Sequence, residues 1–193
     1  MRQIHLQQLA PYIDAKVIDV LYYLKGRELL NRLTICGSLG LVLNSKLERI
    51  VKDVDILTKV DWYGTDHPLS NFRDSDVNEP VSHQFILDGI KITCLKVRIF
   101  DTKIDILYNP KQTKGEEVEL ITEGGISIKV RIEDPEVALS FKQKYIVVHK
   151  TEESRGKHLN DINMIKRRNL IDEEPYWDKT VLKQFDPADD LPF

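Results

Sequence analysis

The chain has 193 residues, 41% of them hydrophobic and 31% charged, with a net charge of −3. That length fits one domain with a core large enough to need no staples. The weak acidity argues against a protein that coats nucleic acid nonspecifically. No run approaches the ~18 apolar residues of a membrane helix.

The charge is uneven. Seven acidic residues and two lysines lie between Asp172 and Phe193, a net of −5, which leaves +2 for residues 1 to 171. Cys36 and Cys94 each sit in an apolar run without metal-ligand spacing. They are expected to be buried, reduced thiols. The N-terminus has no apolar h-region, so a cytoplasmic protein without membrane insertion is expected.

Residues 3 to 32 carry Leu9, Ile13, Val17, Leu21 and Leu24 at spacings of three and four. That period predicts a helix, and Pro11 confines its main part to about Tyr12–Asn31. Leu33–Cys36 reads as a short strand. Gly37-Ser38 turns into a helix-like run, Leu39–Leu47, and Val51–Leu57 resumes strand character. Residues 59 to 81 show no clean period, which makes them a substrate-side loop or a plain surface excursion.

Asp88-Gly89 between β-type runs predicts a two-residue hairpin. Val97–Tyr108 reads as one strand. Glu123-Gly-Gly125 joins Val118–Ile121 to Ile126–Ile132 as a second hairpin. Asp134-Pro135 then places an N-cap and a first-turn proline at the head of a helix running to about His149. A polar loop, Lys150–Gly156, leads to a further helix, Lys157 to about Arg168. Helix, strands with one embedded helix, then helices describe an α+β domain with a mixed sheet. The expected division is a core over 1–132, a helical part over 133–171 and an acidic tail over 172–193.

The chemistry centres on carboxylates. Asp-x-Asp pairs occur at 53/55 and 74/76, and chance alone supplies about two in a chain this rich in aspartate. The first pair is set apart by its apolar run, Ile50-Val-Lys-Asp-Val-Asp-Ile-Leu57. Strand alternation puts both carboxylates on one face, roughly 6.6 Å apart by rise. Two like charges there call for a cation, and hard oxygen donors suit Mg²⁺ or Mn²⁺. Asp105 interrupts another strand-like run, Lys103–Tyr108, and is the candidate third ligand or general base. Gly37 lets a ligand approach the backbone, and Ser38 offers a hydroxyl or a plain helix cap.

Together, Gly37-Ser38, Asp53-Val54-Asp55 and Asp105 resemble the nucleotidyltransferase superfamily. Asp134–Lys142 and Lys157–Ile162 are similar to the helical half of its small bacterial members, abortive-infection toxins and antibiotic nucleotidyltransferases among them. The resemblance spans about residues 30 to 170. It implies a nucleotidyltransferase-like mixed sheet flanked by helices, with C-terminal helices. It further implies Mg²⁺ (or Mn²⁺) held by Asp53, Asp55 and Asp105. Phosphates of an NTP would be held by Gly37, Ser38 and Lys142. The NMP would pass to an acceptor hydroxyl on a small molecule, a tRNA or a protein, with pyrophosphate released. Asp161 is a weaker candidate to orient Lys142. A non-catalytic binding protein on the same fold and a metal-dependent phosphohydrolase are the competing readings.

Overall fold

The structure is a computed structural model and describes residues 1–30, 33–58, 81–87, 89–108, 115–148 and 151–167. Its strands are β1 (Arg2–His5), β2 (Thr34–Cys36), β3 (Asp53–Thr58), β4 (Val81–Leu87), β5 (Ile90–Ile99), β6 (Thr102–Tyr108), β7 (Gly115–Ile121) and β8 (Ser127–Glu133). Its helices are α1 (Leu6–Leu9), α2 (Ala15–Gly26), α3 (Gly37–Leu43), α4 (Pro135–Val148) and α5 (Glu152–Arg167). The strands form one sheet in the order β1-β7-β8-β2-β3-β6-β5-β4. β1–β7, β2–β8 and β3–β6 pair parallel; the other four neighbours pair antiparallel. This is the α+β mixed sheet flanked by helices that the element order predicts.

Alternation decides which face each strand buries. Val54, Ile56, Ile104 and Ile106 are buried in the core, and so are Val17, Val20, Leu21 and Leu24 of α2. Full burial of each such side chain contributes about 1.5–3 kcal/mol. Asp14 starts α2 by accepting the Lys16 N–H at 3.0 Å. Asp134 starts α4 in the same way, accepting the Glu136 N–H at 2.9 Å. Both predicted hairpins form, with Leu87 opposite Ile90 and Ile121 opposite Ser127.

Four elements differ from expectation. The N-terminal segment is not one helix: Arg2–His5 is a strand beside β7, and α2 covers only Ala15–Gly26. Strand pairing with a distant segment overrides a local apolar period. Val97–Tyr108 is not one strand either. It turns at Phe100-Asp101, both with positive φ (50° and 62°), the backbone that a two-residue hairpin needs. The Phe100 ring meets Tyr23 of α2 edge-on at 5.5 Å, which anchors the turn. The last helix begins at Glu152, so most of the expected polar loop is its first turn and Gly156 lies inside it. β3 begins at Asp53; Val51 instead makes an isolated bridge to Ile13. Residues 59–80, with the second Asp-x-Asp pair, and the tail from 172 lie outside the described residues.

Candidate active site

The site grows from the register of β3 and β6. In this parallel pair Asp53 stands opposite Lys103, and Asp55 opposite Asp105. Neighbouring strands lie ~4.8 Å apart and paired residues point to one face. The three predicted carboxylates therefore share a face, opposite the buried Val54, Ile56, Ile104 and Ile106. Two lysines join them. Lys103 Nζ donates to Asp105 Oδ2 at 2.7 Å, and Lys157 Nζ of α5 reaches Asp53 Oδ2 at 3.4 Å. Asp105 Oδ1 is buried and has no hydrogen-bond partner among the described residues.

Burial, then the charges of Asp53 and Asp105, push the Asp55 carboxyl up to about 6. Burial opposes the charge of Lys103, but its bond to Asp105 and the acids around it raise its pKa.

Gly37 forms the wall beside Asp55. Cys36, one residue earlier, pairs with Asp55 across β2–β3. A Cβ on Gly37 would lie 2.1 Å from Asp55 Oδ2 and 2.9 Å from its Cβ, and the backbone φ is +61°. Glycine is the residue that tolerates both conditions. The Gly37 N–H donates to the carboxyl of Glu133, which is buried at 4% exposure. Burial pushes Glu133 up to about 7, against that bond and with the help of the Asp55 charge. Burial, with the charges of Glu133 and Asp55, also raises the Cys36 thiol well above its ordinary value. Cys36 is therefore a packing residue, since a neutral thiol is a poor nucleophile.

Ser38 is the centre of a second cluster. Its Oγ accepts from Arg49 Nη2 at 2.6 Å and from Lys142 Nζ at 3.1 Å, and donates to Asp161 Oδ2 at 3.4 Å. Asp161 has no exposure and takes Lys142 at 2.9 Å and Arg49 through two nitrogens. Burial alone would raise Asp161, but the Arg49 bond and the Lys142 charge outweigh it and hold it below its ordinary value. The predicted contact between Asp161 and Lys142 is present. Lys142 is buried at 4% exposure, not on a solvated helix face.

α3 is seven residues long, and its first N–H is engaged by Glu133. Positive charge beside Ser38 therefore comes from Lys142 and Arg49. Sequence reasoning missed Arg49 and Glu133. Arg49 lies in a connecting segment with no periodic signal, and Glu133 in Ile-Glu-Asp-Pro looks like an exposed strand end.

The donor set suits a hard divalent cation: three carboxylates on one face, with one buried oxygen unpartnered. Among the described residues, no three carboxylate, imidazole or thiol groups gather closely enough around one point to hold a metal as they stand. Lys103 and Lys157 supply the compensating charge in this arrangement. Among the described residues, no helix is long and apolar enough to cross a membrane.

No protein-family model and no curated protein matches the chain. Among solved structures, it is similar to an antigenic nucleotidyltransferase-like protein from Paracoccidioides brasiliensis, at 19% identity and a TM-score of 0.45, over 77% of this chain and 73% of that one. It is also similar to a candidate nucleotidyltransferase from H. pylori, at 14% identity and a TM-score of 0.39, over 66% and 57% of the two chains. The protein JHP933 from Helicobacter pylori gives 16% identity and a TM-score of 0.37, over 67% and 57%. The chain spans a little over half the length of these two H. pylori proteins. Two of these three structural neighbours are described as a nucleotidyltransferase or a nucleotidyltransferase-like protein.

Proposed function

We propose that the chain is a metal-dependent nucleotidyltransferase that moves an NMP from an NTP to an acceptor hydroxyl and releases pyrophosphate. The observation that carries this reading is the register of β3 and β6, which gathers Asp53, Asp55 and Asp105 on one face beside Gly37. A resident Mg²⁺ or Mn²⁺, held by these three carboxylates, would neutralise the triphosphate and the charge that develops during transfer. Ser38 and Lys142 bind and orient the phosphates. Asp105 Oδ1, the unpartnered oxygen, takes the proton of the acceptor hydroxyl. Gly37 lets Asp55 lie close against the backbone and so keeps the acid face beside Ser38. Most of the rate gain comes from alignment and charge stabilisation.

Calorimetric titration of ATP, CTP, GTP and UTP with Mg²⁺, on wild type and on Asp53→Ala/Asp55→Ala, tests the reading. Binding that needs both the metal and the acid pair supports it, and pyrophosphate release with an acceptor completes it. Release of phosphate instead would identify a phosphohydrolase. The acceptor remains a small molecule, a tRNA or a protein, in a cytoplasmic enzyme of defence or drug-modifying type.

One observation favours a second reading, a non-catalytic binding protein on this scaffold. Lys103 and Lys157 already neutralise two of the acids. Nucleotide binding indifferent to Mg²⁺, without pyrophosphate release, would select it.

A further inference from the structure

We infer that Arg49 is a phosphate-binding residue that leaves Asp161 to grip the distal phosphates of the NTP. The inference rests on the nucleotidyltransferase reading and names a residue which that reading does not contain.

Charge is unbalanced around Asp161. Two cations, Lys142 and Arg49, meet one buried carboxylate, so the cluster holds one positive charge in excess beside the Ser38 hydroxyl. The two cations are not equivalent. Lys142 is 4% exposed, whereas the Arg49 side chain is 20% exposed. A buried charge stripped of its only partner is strongly destabilising. If Lys142 left, its own ammonium would be stranded in the interior. If Arg49 leaves, Asp161 keeps Lys142 at 2.9 Å. Arg49 is the member of the cluster that can change partners.

Its chemistry suits the exchange. Nε and Nη2 together take both oxygens of Asp161, at 2.5 and 3.0 Å. That planar fork matches two oxygens of a phosphate equally well. Nη2 also touches Ser38 Oγ, so the fork stands where a phosphate held by Ser38 would present its oxygens. The guanidinium feels the charges of Asp53 and Asp55 as well. Arg49 therefore belongs to the Ser38 cluster and lies within electrostatic reach of the acid face. A triphosphate laid from the acids toward Ser38 would pass it with the distal phosphates, which a monophosphate lacks.

The test is the ratio of ATP to AMP affinity with Mg²⁺, measured by calorimetry on wild type, Arg49→Gln and Arg49→Lys, with inorganic tripolyphosphate as a base-free probe. Arg49→Gln is expected to lower the ATP-to-AMP ratio and the tripolyphosphate affinity about tenfold or more, the loss of one charge-assisted bidentate contact. Arg49→Lys keeps the charge but not the fork and should lose severalfold. It carries the test if Arg49→Gln fails to fold. Unchanged binding in the folded variants, or an equal drop for ATP and AMP, overturns the role of Arg49 and leaves the nucleotidyltransferase reading standing. Wild type that binds neither ATP nor tripolyphosphate overturns both.

Discussion

Asp55 and Asp105 face each other across the parallel β3–β6 pair, and among the described residues the buried Asp105 Oδ1 has no hydrogen-bond partner. Nature seldom leaves a carboxylate oxygen in that state without a use for it. Lys103 covers the other oxygen and holds the face together.

Lys103→Met should therefore expose how the acids are neutralised. In EDTA the variant should melt several degrees below wild type, because Asp105 loses its ammonium partner. Added Mg²⁺ should raise its melting temperature more than that of wild type. Calorimetric scans with and without the ion check this; no ion effect on either protein would show that the acids do not share a cation site.

Gly37→Ala should destabilise the protein by about 2 kcal/mol or more, since it combines a left-handed backbone with steric overlap. The overlap reaches Asp55 Cγ and Cβ at 2.8 and 2.9 Å, not only the carboxylate tip. Turning the carboxylate aside does not relieve it. Urea unfolding measures the loss, and a near-neutral substitution would refute the close approach.

Asp161→Asn should cost about 3–5 kcal/mol at neutral pH, the penalty of breaking a buried ion pair. The pH dependence follows from the depressed value of Asp161. Its ionised form is favoured in the folded state, so its stabilisation is present above the unfolded value of about 3.9. That stabilisation drains as pH falls through the lower folded value. The gap between wild type and Asp161→Asn should thus narrow below about pH 4 in urea titrations.

Glu133→Gln should act in the opposite sense. The folded carboxyl, pushed up to about 7, holds its proton more tightly than the unfolded one. The stability tied to that proton is full below the unfolded value of about 4.3 and is lost as pH rises toward 7. A glutamine keeps an acceptor for the Gly37 N–H and cannot ionise. The variant should match wild type near pH 4 and exceed it by about 1–3 kcal/mol at pH 8. A variant less stable than wild type at pH 8 would show that Glu133 is needed ionised.

The sheet and the acid face were legible in the chain because their signals are local. The alternation around Asp53 and Asp55, the lone Asp105 in an apolar run, and the Asp134-Pro135 helix start each fall within a few residues. What stayed hidden depends on distant partners. Arg2–His5 is a strand only because β7 lies beside it. Phe100-Asp101 lacks the usual Asn-Gly signature of its turn, and packing on Tyr23 supplies the anchor instead. Arg49 and Glu133 gain meaning only when α5 and the Gly37 turn close over them.

Ser38 and Asp161 meet across 123 positions of the chain. During synthesis, therefore, the sheet residues that shape the acid face emerge long before the carboxylate that secures Arg49 and Lys142. Contacts of such long range form late and slowly. A nascent chain shorter than 161 residues lacks Asp161, so the Ser38 cluster is complete only once the segment that carries α5 has emerged.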